Sequence, residues 1–145
     1  MTDRDTALAG LAMMIGEWDV TSPQFPGETG HTSIEWLNDH SFLMVVTTLP
    51  GAHADRAWVV GADEGAEHSL AILQHGRDGS RRIYHGFFDG PLWRVWRDAP
   101  GGSQRFTGTL DETGNVFRAT WERSDAQSDP RDWEHEFDLT YTRIS

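Results

Sequence analysis

The sequence predicts an all-β fold: a single antiparallel up-and-down β-barrel of about ten strands, preceded by a short N-terminal helix. From Gly16 onward, apolar and polar residues alternate with a period of two, which is typical of half-buried strands. Turn-forming segments rich in Gly, Pro, Asp and Asn interrupt this alternation at short intervals, as in a meander. Closure into a barrel would remove the edge strands that make an open meander prone to aggregation.

The elements follow in chain order. Leu8, Leu11 and Ile15 recur at helical spacing and Gly16 offers a stop, so this segment is the helix candidate. The Pro- and Gly-rich stretch 22–30 is expected to form a lid or Ω-loop beside the barrel mouth. The predicted strands cover residues 17–21, 32–37, 42–49, 57–61, 69–74, 82–89, 92–97, 104–110, 116–123 and 133–143.

Charge and composition limit the classes of partner. The chain has 23 acidic residues against 12 basic ones, all Arg, and its net charge of −11 opposes binding to nucleic acid or an anionic membrane. The absence of cysteine excludes disulfides, thiolate metal sites and a cysteine nucleophile. We expect one domain over residues 1–145. We also expect a cytoplasmic protein, because no signal-peptide pattern and no apolar run of roughly 18 residues is present.

Both ends of the predicted barrel carry residues suited to closing its base. Gly16-Glu17-Trp18 opens the first strand, and Arg143 lies on the last strand with the parity of Tyr141. This arrangement resembles the lipocalin and calycin superfamily, in which a Gly-x-Trp and a C-terminal Arg close the barrel. The resemblance implies that the Arg143 guanidinium stacks on the Trp18 indole in a cation–π contact.

The likeness extends to small bacterial barrel proteins of the fatty-acid-binding and nitrobindin-like branches. The segments that carry it are IGEWDV, SIEWLNDHSFLM, VVGADE, SQRFTGTLDETGN, TWERSD and DWEHEFDLTYTR. Nitrobindins hold heme through a His that reaches inward from a late strand, and His135 matches that position by strand and parity. The resemblance therefore implies heme ligation by His135 as an alternative to the leading interpretation, which has no cofactor.

The strand DWEHEFDLTYTR raises the question of what His135 does. Period-two parity places it on the dry face, together with Trp133, Phe137, Leu139 and Tyr141. It is either a core residue with a satisfied hydrogen bond or a residue that faces a ligand. The same parity predicts that Trp36, Phe106 and Trp121 point inward. The predicted ligand-lining residues are therefore Trp36, Tyr84, Phe106, Trp121, His135 and Phe137.

Motifs that would indicate catalysis or metal binding are scarce. The chain contains no GxSxG, no phosphate-binding Gly loop and no GxGxxG, so no catalytic residue is assigned. His75 and His85 flank a turn and would approach each other across a hairpin. Neither His-x-His nor HExxH spacing supports zinc, however, and we expect no metal site.

Three functions remain open. The leading hypothesis is binding of a small, largely apolar ligand in the barrel interior. The alternatives are a small enzyme, cyclase- or isomerase-like or heme-dependent, acting on a hydrophobic substrate there, and a non-catalytic interaction module with a packed interior. The volume of the barrel interior distinguishes these hypotheses, because the interaction module has a packed interior and the other two need space for a ligand or substrate. We expect a small apolar partner, no nucleic acid and no membrane; whether the chain forms a homodimer is left open.

Overall fold

A closed barrel contains every strand that the structure describes. The computed structural model describes residues 8–37, 40–50, 55–63, 69–99, 102–125 and 132–145. Each strand pairs antiparallel with the next one along the chain, and β1 pairs with β10, so the sheet has no free edge. The predicted all-β barrel of ten antiparallel strands is confirmed, and this architecture is consistent with a calycin-like fold. The strands are β1 (Gly16–Thr21), β2 (Gly30–Leu37), β3 (Phe42–Thr48), β4 (Arg56–Ala62), β5 (Leu70–Gly76), β6 (Arg81–Asp89), β7 (Leu92–Arg97), β8 (Ser103–Leu110), β9 (Val116–Ser124) and β10 (Glu134–Arg143).

In the described residues, the predicted N-terminal helix consists of Leu8 and Ala9 in α-helical conformation followed by a 3₁₀ turn over Gly10–Met14; the start of the predicted segment, residues 5–7, lies outside the described residues. The N-cap residue of the turn is Ala9, which has no side-chain oxygen to accept a hydrogen bond from the first free N–H groups. Pieces of 3₁₀ helix of this length are frequent at the ends of α-helices and as connectors. Burial of the Leu11 and Met14 side chains in the core stabilises this turn. Within the described ranges, no helix has the length and apolar character needed to cross a membrane.

Aromatic rings fill the barrel interior. Trp58 lies edge-on to Trp93, Phe106 and Trp121, with ring centroids 5.6–6.2 Å apart. This is the geometry that aromatic quadrupoles favour. Gly108 on β8 makes room for one of these rings, because a Cβ at that position would lie 2.1 Å from Phe117 Cζ. The core is therefore packed with rings up to the backbone of the strands.

The predicted contact between Trp18 and Arg143 is confirmed at the end of the barrel nearest the 3₁₀ turn. The Arg143 guanidinium carbon lies 4.2 Å from the centroid of the fully buried Trp18 indole. The same guanidinium donates to the carbonyl oxygens of Met13, Ile15 and Gly114. Gly16 has φ +142°, and a Cβ there would lie 2.6 Å from Arg143 Nη1. Glycine at position 16 therefore leaves the space that the Arg143 guanidinium occupies.

A β-bulge in β10 makes part of the predicted register wrong. His135 pairs with Glu122 and Phe137 pairs with Trp121, so Glu136 is an extra residue in the ladder between β10 and β9. One extra residue reverses which face every preceding side chain occupies. Phe137 therefore points toward the core as predicted. His135 and the residue two before it, Trp133, lie on the outer surface, so the prediction that they are inward is wrong.

Candidate functional site: a groove on the outer face of the barrel

In the described part of the chain, side chains almost fill the interior pocket that was expected to hold a ligand. The space found there has a volume of about 20 Å³ and is lined by Val45, Thr47, Arg56, Trp58 and Tyr141. A single water requires about 10–15 Å³, so this space has room for a molecule of that size and no more. Burial raises the pKa of Tyr141, which keeps its hydroxyl protonated. The rings themselves occupy the volume that the sequence analysis assigned to a ligand.

Four of the six predicted ligand-lining residues come together in this ring cluster. The Trp121 ring centroid lies 6.0 Å from that of Tyr84, 5.2 Å from that of Phe106 and 6.4 Å from that of Phe137. Tyr84, Phe106 and Trp121 are buried, and Phe137 is half-buried against them. Trp36 is half-buried and stacks on His40, with ring centroids 4.9 Å apart. It is not among the rings that contact Trp121.

His135, the sixth predicted residue, faces solvent. Its side chain is 51% exposed, and its Nε2 lies 3.1 Å from Asp138 Oδ1. Hydrogen bonds from Thr120 and then from His135 lower the pKa of Asp138. The expected burial of His135 is wrong, and axial ligation of a heme inside the barrel loses its geometric basis. The bulge is the physical cause, because it rotates this imidazole to the outer face.

A wide concave site lies on the outer surface of β7, β8 and β9. We call it the outer groove; its volume is about 770 Å³. Cross-strand register orders its residues in three rows, because residues paired across antiparallel strands point to the same face. The rows run Trp96–Arg105–Glu122, then Arg94–Thr107–Thr120, then Thr109–Arg118. Trp133, which precedes β10, completes the lining.

Arg105 holds one end of the outer groove rigid. Its Nε and Nη2 donate to the two oxygens of Glu122, at 2.8 and 3.1 Å. Its guanidinium carbon lies 4.1 Å from the Trp133 ring centroid. A bidentate pair with a stacked ring on the same guanidinium fixes all three side chains. Glu122 is therefore engaged and is not a free carboxylate at this site.

The other two arginines of the outer groove are differently placed. Both are exposed, and within the described ranges neither Arg94 nor Arg118 has an ion-pair partner. Arg94 is near the Phe87 ring, at 5.9 Å from guanidinium carbon to centroid. Between them on β8 stand the hydroxyls of Thr107 and Thr109. The groove thus offers two positive charges that have no ion-pair partner among the described residues, with hydroxyl groups between them, on one patch of an acidic protein.

A smaller polar cleft of about 360 Å³ lies near the mouth of the barrel, at the opposite end from the Trp18–Arg143 contact. Hydrogen bonds to Gln104 connect some of its side chains. Gln104 Oε1 accepts from Tyr84 Oη and from Arg82 Nη1, both at 2.9 Å, and Gln104 Nε2 donates to Glu136 at 3.3 Å. This network engages Gln104 with three partners. It also explains why Tyr84 points its hydroxyl at the rim.

The histidine pair considered from sequence does not form. His75 pairs with Arg81, whereas His85 pairs with Ala71, so the two imidazoles lie four residues apart along the hairpin. The described residues include no group of three or more His, Cys, Asp or Glu side chains suited to a metal ion.

No protein-family model matches the chain, and no curated protein matches it. The fold and the site by themselves define the class: a closed ten-stranded antiparallel barrel with an aromatic interior and an outer face lined by Arg, Thr and Trp. From sequence, the inward parity of Phe106 predicts that Arg105 lies on the outer face, whereas both faces of the segment 92–97 mix Trp and Arg, so the sequence leaves the face of Arg94 undecided. The signal for the groove was present in the outward positions of three consecutive segments, LWRVWR, RFTGTL and FRATWE, which carry Arg or Thr in each strand.

Proposed function

We propose that this protein is a non-catalytic binding protein whose outer groove takes a small anion. The observation that carries the proposal is the pair of unpaired arginines, Arg94 and Arg118, on one patch of a protein with a net charge of −11. Exposed cations in such a protein would gain from pairing with its many carboxylates. These two face a concave surface instead, where a bound anion would neutralise them.

The spacing of the two arginines suits a single anion. Neighbouring strands are about 4.8 Å apart, so β7 and β9 lie about 10 Å apart across β8, and the two arginines are offset by one row. Two long side chains can converge over that span. Thr107 and Thr109, on the strand between them, supply hydroxyl donors to the same ligand. The Thr120 hydroxyl donates to Asp138 and is already used.

The chemistry of the lining supports binding rather than catalysis. A general base needs a carboxylate or imidazole free to accept a proton from the ligand. Glu122, the carboxylate of the outer groove, is held by both donors of Arg105. What remains is a set of fixed cations, hydroxyls and rings, which suits recognition.

The proposal is tested by titrating the protein with methyl phosphate and following backbone amide signals by NMR. We expect saturable shifts in β7, β8 and β9, and at least tenfold weaker binding in the double variant Arg94→Ala/Arg118→Ala. The control is Arg77→Ala/Arg81→Ala, which removes the same charge from the exposed β5–β6 turn and the start of β6. Equal weakening in both variants, or no saturable shift in the unaltered protein, would overturn the proposal.

A second candidate is the sequence-derived one, a small and largely apolar ligand inside the barrel. The observation that favours it is that the buried indole N–H groups of Trp93 and Trp121 have no acceptor among the described residues. An unpaired buried donor costs about 1–3 kcal/mol, which a ligand with an acceptor atom would recover. Because the described interior space of about 20 Å³ holds no more than one water, such a ligand requires the rings to move apart. Native mass spectrometry of the purified protein tests this: a co-purified mass that Trp121→Phe diminishes supports it, and identical bare-protein spectra for both remove it.

A further inference from the structure

We propose that the anion of the outer groove carries a flat ring, and that this ring lies against Trp96 and Trp133. The inference rests on the proposed function, since it names the class of ligand for the same site. The class is an organic anion in which an aromatic ring is joined, directly or by a short linker, to a phosphate or carboxylate.

The first observation is that both indoles are held in place on the outer surface. Trp96 lies beside His85 and Phe87, with ring centroids 6.4 and 6.2 Å away. Trp133 covers the Arg105 guanidinium at 4.1 Å, and that guanidinium is itself fixed by Glu122. Rigid aromatic side chains contribute contact area at a low cost in conformational entropy, which makes them effective binding surfaces.

The second observation is that neither indole belongs to the barrel core. The large rings inside the barrel account for its packing, and Trp96 and Trp133 are half-buried on the opposite face of the same strands. Outward positions of a barrel in water are ordinarily polar. Two tryptophans bordering one concave site are therefore placed where they serve a ligand better than the fold.

The third observation is the order of the rows. Trp96 and Arg105 share the first row, Arg94 is in the second and Arg118 is in the third. Rows on one face of a strand are about 7 Å apart, because side chains on that face recur every second residue. An anion held between Arg94 and Arg118 would lie about 7–10 Å from the tryptophan row. A ring bonded to the charged group spans that distance.

The experiment compares two ligands with the same anion, methyl phosphate and phenyl phosphate, and adds phenol as the neutral ring. Affinities come from NMR titration of the full chain. We expect phenyl phosphate to bind at least tenfold more tightly than methyl phosphate, and phenol to bind too weakly to saturate. In Trp96→Leu and Trp133→Leu this preference should fall below threefold, whereas Phe42→Leu, an exposed ring on β3, should leave it unchanged.

The possible results distinguish a failure of the ring inference from a failure of the anion-binding proposal. Equal affinity for the two phosphates would overturn the ring inference while leaving anion binding intact. Binding of phenol as tight as that of phenyl phosphate would overturn anion binding itself, and failure of all three ligands would overturn both. Benzoate and adenosine monophosphate, titrated in parallel, distinguish a carboxylate source from a nucleotide source of the same ring-plus-anion chemistry.

Discussion

Two tryptophan–arginine pairs in this barrel have nearly the same geometry and opposite surroundings. Arg143 lies 4.2 Å from the Trp18 ring centroid, and Arg105 lies 4.1 Å from that of Trp133. Trp18 is fully buried and Arg143 donates to three backbone carbonyls, whereas Arg105 is 36% exposed and pairs with a carboxylate. The contact distance is thus uninformative about role.

What separates the two pairs is the water that each excludes. Burying the Trp18 ring removes a large apolar area from solvent, and Arg143 donates to three backbone carbonyls beside it. The Trp133 ring is half-buried, and both it and the Arg105 guanidinium line the outer groove. The first pair is therefore expected to stabilise the fold and the second to meet a ligand, and the variants below test that division.

Replacing Trp18 and Trp133 should give the largest difference in the free energy of unfolding between the two pairs. Trp18→Ala is expected to lower the free energy of unfolding by about 3–5 kcal/mol, because it leaves a large cavity in the core. Trp133→Ala should cost less than Trp18→Ala, because the Trp133 ring is only half-buried and its removal opens no cavity inside the barrel. Urea unfolding followed by circular dichroism measures both. Similar losses in the two variants would contradict the division.

Replacing Arg143 and Arg105 should give the next largest difference in the free energy of unfolding. Arg143→Met keeps the aliphatic stem but leaves the carbonyls of Met13, Ile15 and Gly114 without this donor, so we expect a loss of about 2–4 kcal/mol. Arg105→Met removes a partly exposed ion pair, for which about 0–1 kcal/mol is usual. The same unfolding measurement applies, and a larger loss at Arg105 than at Arg143 would reverse the assignment.

Gly16→Ala should disturb the base of the barrel through Arg143. Both Gly16 and Gly27 have positive φ, at +142° and +77°, but only the Cβ at Gly16 would meet other atoms, Arg143 Nη1 among them. We expect a loss of about 1–3 kcal/mol at Gly16, from backbone strain plus displacement of the guanidinium. Gly27→Ala, as the control, carries the strain alone and should lose less. Equal losses at the two glycines would mean that the contact with Arg143 is unimportant.

The smallest expected effect is on the pH dependence of stability, and it comes from Asp138, beside the outer groove. Its pKa is lowered by hydrogen bonds from Thr120 and His135, so its ionised form stabilises the fold. That stabilisation is present above the unfolded pKa of about 3.9 and is lost as the pH falls through the lower folded value. The stability advantage of the unaltered protein over Asp138→Asn should therefore shrink below about pH 4. An advantage that is independent of pH between 7 and 3 would contradict this, and solvent screening of the half-exposed pair keeps the effect small.

Much of the fold could be predicted because its signals are local. The alternation of apolar and polar residues locates all ten strands, and the placement of Gly16, Trp18 and Arg143 predicted the contact at the base. For the candidate site the prediction was partial. Tyr84, Phe106, Trp121 and Phe137 do meet, but they meet as packed rings with about 20 Å³ beside them, not as the wall of a cavity.

The sequence by itself determined which strands form, that they are antiparallel, and which rings are available to fill the core. Tertiary structure alone decided three further matters. The extra residue at Glu136 is accommodated only by the ladder with β9, and it sends His135 and Trp133 outward. Interior volume depends on how rings from different strands interlock. The outer groove exists because register brings arginines from β7 and β9 to one face, and register between strands is a property of the closed barrel, not of any one segment.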